Sequence, residues 1–260
     1  MNELFLKLIG NDKIAENTFR ATFKCDDNKF FEEFIPGQFM QFKIPNAGQL
    51  ILRRPIAVEK IDKAQNIFSI CYFLVGEGTK ILSQQTIGQD ISAIGPIGNG
   101  FCAHKYKNIW LLGGGVGAAP LFSVLQQNPK SCKKAFLGFS SKDFVYNLDN
   151  FAKLCELTTC TDDGSYGYKG FSISALMQQL ENEKPDAIFA CGTGNMLKAV
   201  QKAVLPTGID CYISMESRMG CGIGTCLVCN CKVKKGEDWD YKRVCVDGPV
   251  FSIKEVVFDE

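Results

Sequence analysis

Histidine occurs once in 260 residues, as His104, with no evident partner, and no acid, base or nucleophile for substrate chemistry stands out elsewhere. His104 is therefore read as a surface or structural residue. Charge of one sign is also lacking: 29 basic residues face 28 acidic ones, a net charge of +1, which leaves no basic field for nucleic acid. Long hydrophobic runs are missing as well. The longest, residues 109–125, is interrupted by glycines and a proline and falls short of the ~20 residues that a membrane span needs. The first twenty residues scatter charges among their apolar positions and lack the continuous apolar core of a secretory signal. A soluble, cytoplasmic chain with neither a membrane nor a nucleic-acid partner is expected.

Apolar residues and cysteine are plentiful. At 46% apolar residues the chain has ample core material, and its length allows two domains and a small third unit. Thirteen cysteines is an odd number, and in a reducing compartment they are not a disulfide framework. Those scattered through the chain, such as Cys25, Cys132 and Cys211, read as small buried hydrophobes.

Residues 1–103 read as all-β. "NTFRATFKC", "QFMQFKI" and "FSICYFLV" are alternating or continuous apolar stretches parted by Gly, Pro, Asn and Asp, the pattern of a small antiparallel barrel. Over residues 104–210 apolar strands alternate with helix-compatible segments such as "SISALMQQLENE", which implies a parallel α/β sheet. Residues 211–260 form a cysteine-rich tail too short for much core of its own.

Two glycine turns stand where a strand hands over to a helix. "GGGVGAAP", residues 113–120, follows the strand at 109–112, and "CGTGNML", residues 191–197, follows "AIFA". Gly113, Gly115, Gly117, Cys191 and Gly192 would let backbone approach a pyrophosphate at a helix N-terminus. A tight strand–helix turn is the plain structural alternative. The acidic residue expected directly after the second strand of this sheet to hold an adenosine ribose is missing, since "AFLGFSSKDF" offers Ser140, Ser141, Lys142 and only then Asp143. A 2′-phosphate would be expected to meet an Arg, which this loop lacks. NAD is therefore expected over NADP.

The tail reads Cys221-x4-Cys226-x2-Cys229, with Cys245 beyond. That spacing is the one of a plant-type [2Fe–2S] site, whereas a zinc ribbon pairs two C-x2-C knuckles and Cys245 has no such neighbour. Zinc stays open beside the cluster. Cys231 competes with Cys229 for third ligand; the spacing favours Cys229.

"RRPIAV", "VGEGTK", the two glycine turns and the cysteine tail, in this order, resemble ferredoxin-reductase-like flavoproteins. More narrowly, "VGEGTKILS", "IGPIGNGF", "TDDGSYGYKGF", "SMESRMGCGIGTCLVC" and "VCVDGPVF" are similar to the electron-transfer subunits of NAD-dependent dihydroorotate dehydrogenases, over nearly the whole chain. The resemblance implies a β barrel that holds FAD through Arg54, Pro55, Ile56, Ala57, Cys71, Tyr72, Phe73, Gly78 and Thr79. It implies a parallel-sheet domain for NAD, a small [2Fe–2S] unit, and an FMN-containing catalytic partner in a two-plus-two heterotetramer. Ala57 stands where many relatives have Ser, and Phe73 where an Arg is common. The alternative within this architecture is an NAD(P)H-linked reductase subunit that uses ferredoxin or sulfide; relatives of that kind commonly carry Asp at the first cluster position, where this chain has Cys221.

Overall fold

The computed structural model describes residues 2–45, 48 and 50–258. Six strands close a barrel: β1 (Asn2–Ala15), β2 (Thr18–Lys24), β3 (Phe39–Phe42), β4 (Arg54–Asp62), β5 (Ile67–Phe73) and β6 (Asp90–Ile97), in the order β1-β2-β5-β4-β3-β6. Every pairing is antiparallel. Alternation decides the facing. Leu4, Leu6 and Leu8 point inward while Phe5 is 75% exposed, because successive strand side chains lie on opposite faces. Helix α1 (Asn28–Glu33), capped by the Asp27 carboxylate, carries Phe30 and Phe31 into the same core. Helix α2 (Glu77–Ser83) follows β5.

The second unit is a seven-stranded sheet. It comprises β7 (Ile109–Gly114), β8 (Cys132–Phe139), β9 (Glu156–Thr161), β10 (Tyr168–Lys169), β11 (Ala187–Cys191) and β12 (Asp210–Ser214), followed after the hairpin β13 (Asn230–Lys235) and β14 (Asp238–Arg243) by β15 (Val250–Ser252). Its order is β10-β9-β8-β7-β11-β12-β15, parallel except for the edge strand β15. The intervening helices are α3 (Ala118–Gln127), α4 (Leu148–Ala152), α5 (Ser172–Leu180) and α6 (Gly194–Val204). Strand β7 is buried on both faces, as a strand under helices must be: Ile109 and Leu111 join the core with α3, Trp110 and Leu112 the core with α5 and α6. Among the described residues, no helix is long and apolar enough to cross a membrane.

Chain order reverses beside β7, with β8 on one side and β11 on the other, and an open α/β sheet presents its ligand crevice at such a reversal. The sheet also takes residues 211–214 and 250–252 from the stretch that the sequence reading gave to the cysteine unit, so that unit is tied to the sheet by strands at both ends. Its Cys229, Val244 and Cys245 lie in the same core as Leu112 and Ile213. The barrel is fixed to the sheet by polar contacts that imitate strand pairing. Gln126 of α3 donates to the Ile61 carbonyl at 2.9 Å and accepts from the Ile61 N–H at 3.2 Å.

Candidate functional site

A cleft of about 520 Å³ opens between barrel and sheet, a size that suits a small organic cofactor. Pro55, Ile56, Ala57, Cys71, Tyr72, Phe73 and Thr79 line it from the barrel, Gly117 and Cys191 from the sheet. A larger groove of about 670 Å³ runs between α5 and α6, but it shares no lining residue with the cleft and borders neither glycine turn.

Two adjacent arginines divide their work. Arg53 is engaged in holding the barrel: its guanidinium donates to Glu3 at 2.6 Å, to the Ser92 hydroxyl at 2.9 Å and to the Gln41 carbonyl at 3.3 Å, which joins β1, β6 and β3. Arg54 donates to the Leu52 carbonyl and lies along the start of α2, where a Cβ on Gly78 would fall 2.8 Å from its Cζ. Glycine at 78 thus makes room for the cation. Thr79 folds back on the same turn, accepting from the N–H groups of Val75 and Gly76 at 3.2 and 3.3 Å. A Cβ at Gly76 would meet nothing within 4 Å, so this backbone faces open space beside a cation.

The two glycine turns meet across the reversal. Gly113 pairs in register with Cys191, and Gly117 packs against the next peptide: a Cβ there would lie 2.6 Å from the Cys191 carbonyl carbon and 2.8 Å from the Gly192 nitrogen. A Cβ at Gly113 would strike the Leu137 side chain at 2.8 Å, which accounts for glycine where α3 leaves the sheet. Gly115, at φ +52°, has open space beyond its Cα. The Tyr146 hydroxyl donates to its carbonyl at 3.3 Å and also contacts the Cys71 thiol, which connects the barrel wall to the turn. Burial, and then the nearby Glu216 carboxylate, push the Cys191 thiol up to about 12 against a hydrogen bond with Ser214 that lowers it.

The tail cysteines fall into two pairs. The N–H groups of Ile223 and Cys226 donate to Cys221 Sγ, and the Cys221 N–H to Cys226 Sγ, each at 3.4 Å. Burial raises the Cys221 thiol, but these donors outweigh it and bring it down to about 6, as hydrogen bonds to a thiolate should. Cys229 and Cys245 form the second pair, 2% and 0% exposed; burial and then the Cys229 neighbour push Cys245 up to about 12. Cys231 sits on β13 near Glu255 and Lys242, and burial lifts its thiol to about 11. Among the described residues, no three His, Cys, Asp or Glu side chains converge on a single metal ion. Two pairs of thiols, one of them bathed in backbone N–H donors, fit a dinuclear cluster in which each iron takes two cysteines.

Sequence reasoning passed over residues 215–219 as lining. Met215, Glu216, Ser217, Arg218 and Met219 cover the cleft, together with Val116 and Pro120. A signal was available: this segment leaves the C-terminal end of β12, so it must cross the crevice on its way to Cys221. Glu216 reaches solvent, yet the protein packed around its carboxyl pushes it above the ordinary carboxylate value.

Comparison with known proteins adds findings of three kinds. The family model described as the iron–sulfur cluster binding domain of dihydroorotate dehydrogenase B matches residues 216–257. The chain is 41% identical over 254 residues to the dihydroorotate dehydrogenase B (NAD(+)) electron transfer subunit of Fusobacterium nucleatum, covering 95% of each chain. It is 36% identical to the protein of the same name from Caldanaerobacter subterraneus, covering 97% of each. Among solved structures, an NADH-dependent reduced ferredoxin–NADP oxidoreductase chain superposes with a TM-score of 0.85 at 29% identity, over 97% of this chain and 89% of that one. Phthalate dioxygenase reductase, at 14% identity and a TM-score of 0.66, shares the fold.

Proposed function

The chain belongs to the family of dihydroorotate dehydrogenase B (NAD(+)) electron transfer subunits, and from that premise we propose that it carries electrons from an FMN-containing catalytic subunit, through a [2Fe–2S] cluster and FAD, to NAD+ in pyrimidine synthesis. One observation carries this reading most strongly. Residues 215–219 line the cleft and run straight into Cys221, so the cofactor cleft and the cysteine nest share one short segment of chain.

Each residue has a task in this reading. Arg54, beside Gly78 at the start of α2, holds the FAD phosphates with charge-assisted hydrogen bonds. Pro55, Ile56 and Ala57 offer the edge of β4 to the flavin ring; Cys71, Tyr72 and Phe73 complete the wall and exclude water. Gly113, Gly115, Gly117 and Gly192 let the nicotinamide nucleotide approach the backbone, with Cys191 at the floor of the crevice. Cys221, Cys226, Cys229 and Cys245 hold the cluster. When bound, flavin exchanges electrons singly or in pairs and so matches a one-electron cluster to a two-electron nicotinamide. Domains at 1–103, 104–210 and 211–260, the last lending residues 211–214 and 250–252 to the sheet, go with this reading, as do a two-plus-two assembly and a cytoplasmic location.

The test is to purify the chain alone and with the catalytic subunit. Alone, it should reduce dyes with NADH and leave dihydroorotate untouched, since this reading assigns the oxidation of that carbon acid to the catalytic subunit; together, the two should reduce NAD+ with dihydroorotate. Oxidation of dihydroorotate by the isolated chain would overturn the proposal. Electron delivery to ferredoxin or sulfide without the catalytic subunit would favour the reductase alternative.

A further inference from the structure

Among the described residues four buried side-chain polar atoms lack a hydrogen-bond partner, and one of them is Oε1 of Gln41, whose amide group stands against the cysteine loop. Strand β3 turns Met40 and Phe42 into the barrel core and leaves Phe39 and Gln41 on the outer side. Phe39 lines the cofactor cleft; Gln41, two residues on, is 0% exposed. Its backbone is pinned, because Arg53 holds the Gln41 carbonyl with the guanidinium that also grips Ser92 and Glu3.

The side chain leaves this fixed point and meets the tail. Gln41 Nε2 donates to Met219 Sδ at 3.6 Å, a weak acceptor. Its amide lies against Gly222, where an added Cβ would be 2.8 Å from both Cδ and Cγ. Gly222 has φ +71°, and its neighbours are Cys221 and Ile223, whose N–H donates to Cys221 Sγ. A buried amide with an unmade bond is a costly way to fill space that Met or Leu would fill without loss. Packing alone does not account for it.

We propose that Gln41 is a positioning residue for electron transfer. From the strand that borders the flavin cleft, its amide clamps the Gly222 turn and fixes the Cys221 side of the cluster loop relative to the barrel. This rests on the cluster reading above. It assigns a role to a barrel residue that is far from its contact in the chain and outside the cysteine motif.

The experiment uses the assembled complex and an EPR-monitored redox titration of the cluster. Gln41→Met keeps the volume and removes the amide that packs against Gly222, which releases the turn bearing Cys221. The cluster potential should shift by about 59 mV, a tenfold change in its one-electron reduction equilibrium, with altered g-values and an unchanged flavin potential. A Gln41→Met cluster with wild-type potential and g-values would overturn the proposal. Should Gln41→Met lose its iron, the cycle of Gln41→Ala, Gly222→Ala and the double variant decides. The methyl group that Gly222→Ala introduces needs the space of the amide, so the double variant should recover cluster content relative to Gly222→Ala alone; additive losses would overturn the proposal. If the cluster reading itself is wrong, the wild-type protein gives no such signal, which separates the two failures.

Discussion

Replacing Gly117 by alanine should separate the two nucleotide turns and weaken NADH use. Gly117 has φ −64° and ψ −14°, already helical, so alanine is comfortable there and by propensity favoured by roughly 1 kcal/mol. Any loss therefore comes from the methyl group. It would sit 2.6 Å from the Cys191 carbonyl carbon and 2.8 Å from the Gly192 nitrogen, both backbone atoms that no side-chain rotation can clear. Restoring ordinary carbon–carbon contact at about 3.5 Å requires the tips of β7 and β11 to part by about 1 Å. Overpacking of this kind costs roughly 1–3 kcal/mol, and a misplacement of about 1 Å in a positioned substrate lowers rates by about 10²-fold. Steady-state NADH–dye kinetics should show kcat/KM reduced by about tenfold or more while bound FAD is retained, and Tm lowered by roughly 2–4 °C per kcal/mol. Wild-type kcat/KM in a folded Gly117→Ala protein would refute the placement of the nucleotide at this turn.

Four further outcomes are expected. Serine at Cys221, Cys226, Cys229 or Cys245 should each bleach the iron–sulfur absorbance, whereas Cys231→Ser should keep it; the reverse result for Cys229 and Cys231 would reassign the third ligand. Arg54→Ala removes a phosphate contact worth roughly 1.5–3 kcal/mol, so equilibrium dialysis should show FAD held about tenfold or more weakly. Arg20 grips the buried Glu59 carboxylate with two hydrogen bonds of 2.6 and 2.7 Å. Arg20→Ala strands that charge and should cost about 3–5 kcal/mol in denaturant unfolding, with Arg20→Lys recovering part. Finally, the loop at Ser140, Ser141 and Lys142 should give NADH a kcat/KM above that of NADPH; a tenfold preference for NADPH would contradict it.

What the sequence made legible was local. The apolar stretches of β2, β3 and β5, the glycines that end β7 and the x4 and x2 intervals between cysteines are all set within a dozen residues, and the barrel, the parallel sheet and the cysteine nest follow from them. Contacts between distant segments leave no such period. Nothing around Gln41 in "FMQFK" points to Gly222, and only the family resemblance tells Arg54 from Arg53 until the fold sends Arg53 to Glu3 and Arg54 to Gly78. Strand β15 has only three residues and was merged with the tail, although pairing with β12 makes it the sheet's antiparallel edge. Residues 215–219 carry no glycine signature; they reach the cleft because the chain crosses the crevice there.

The most direct measurement is an anaerobic reductive titration of the cofactor-loaded chain, followed by absorbance and EPR. Flavin takes two electrons and a [2Fe–2S] cluster one, so full reduction should consume about three electrons per chain. NADH alone should elicit the EPR signal of a reduced [2Fe–2S] cluster. Uptake of about two electrons with no EPR-active cluster would mean that the four cysteines hold no electron carrier, and the relay from partner to NAD+ would lose its first step.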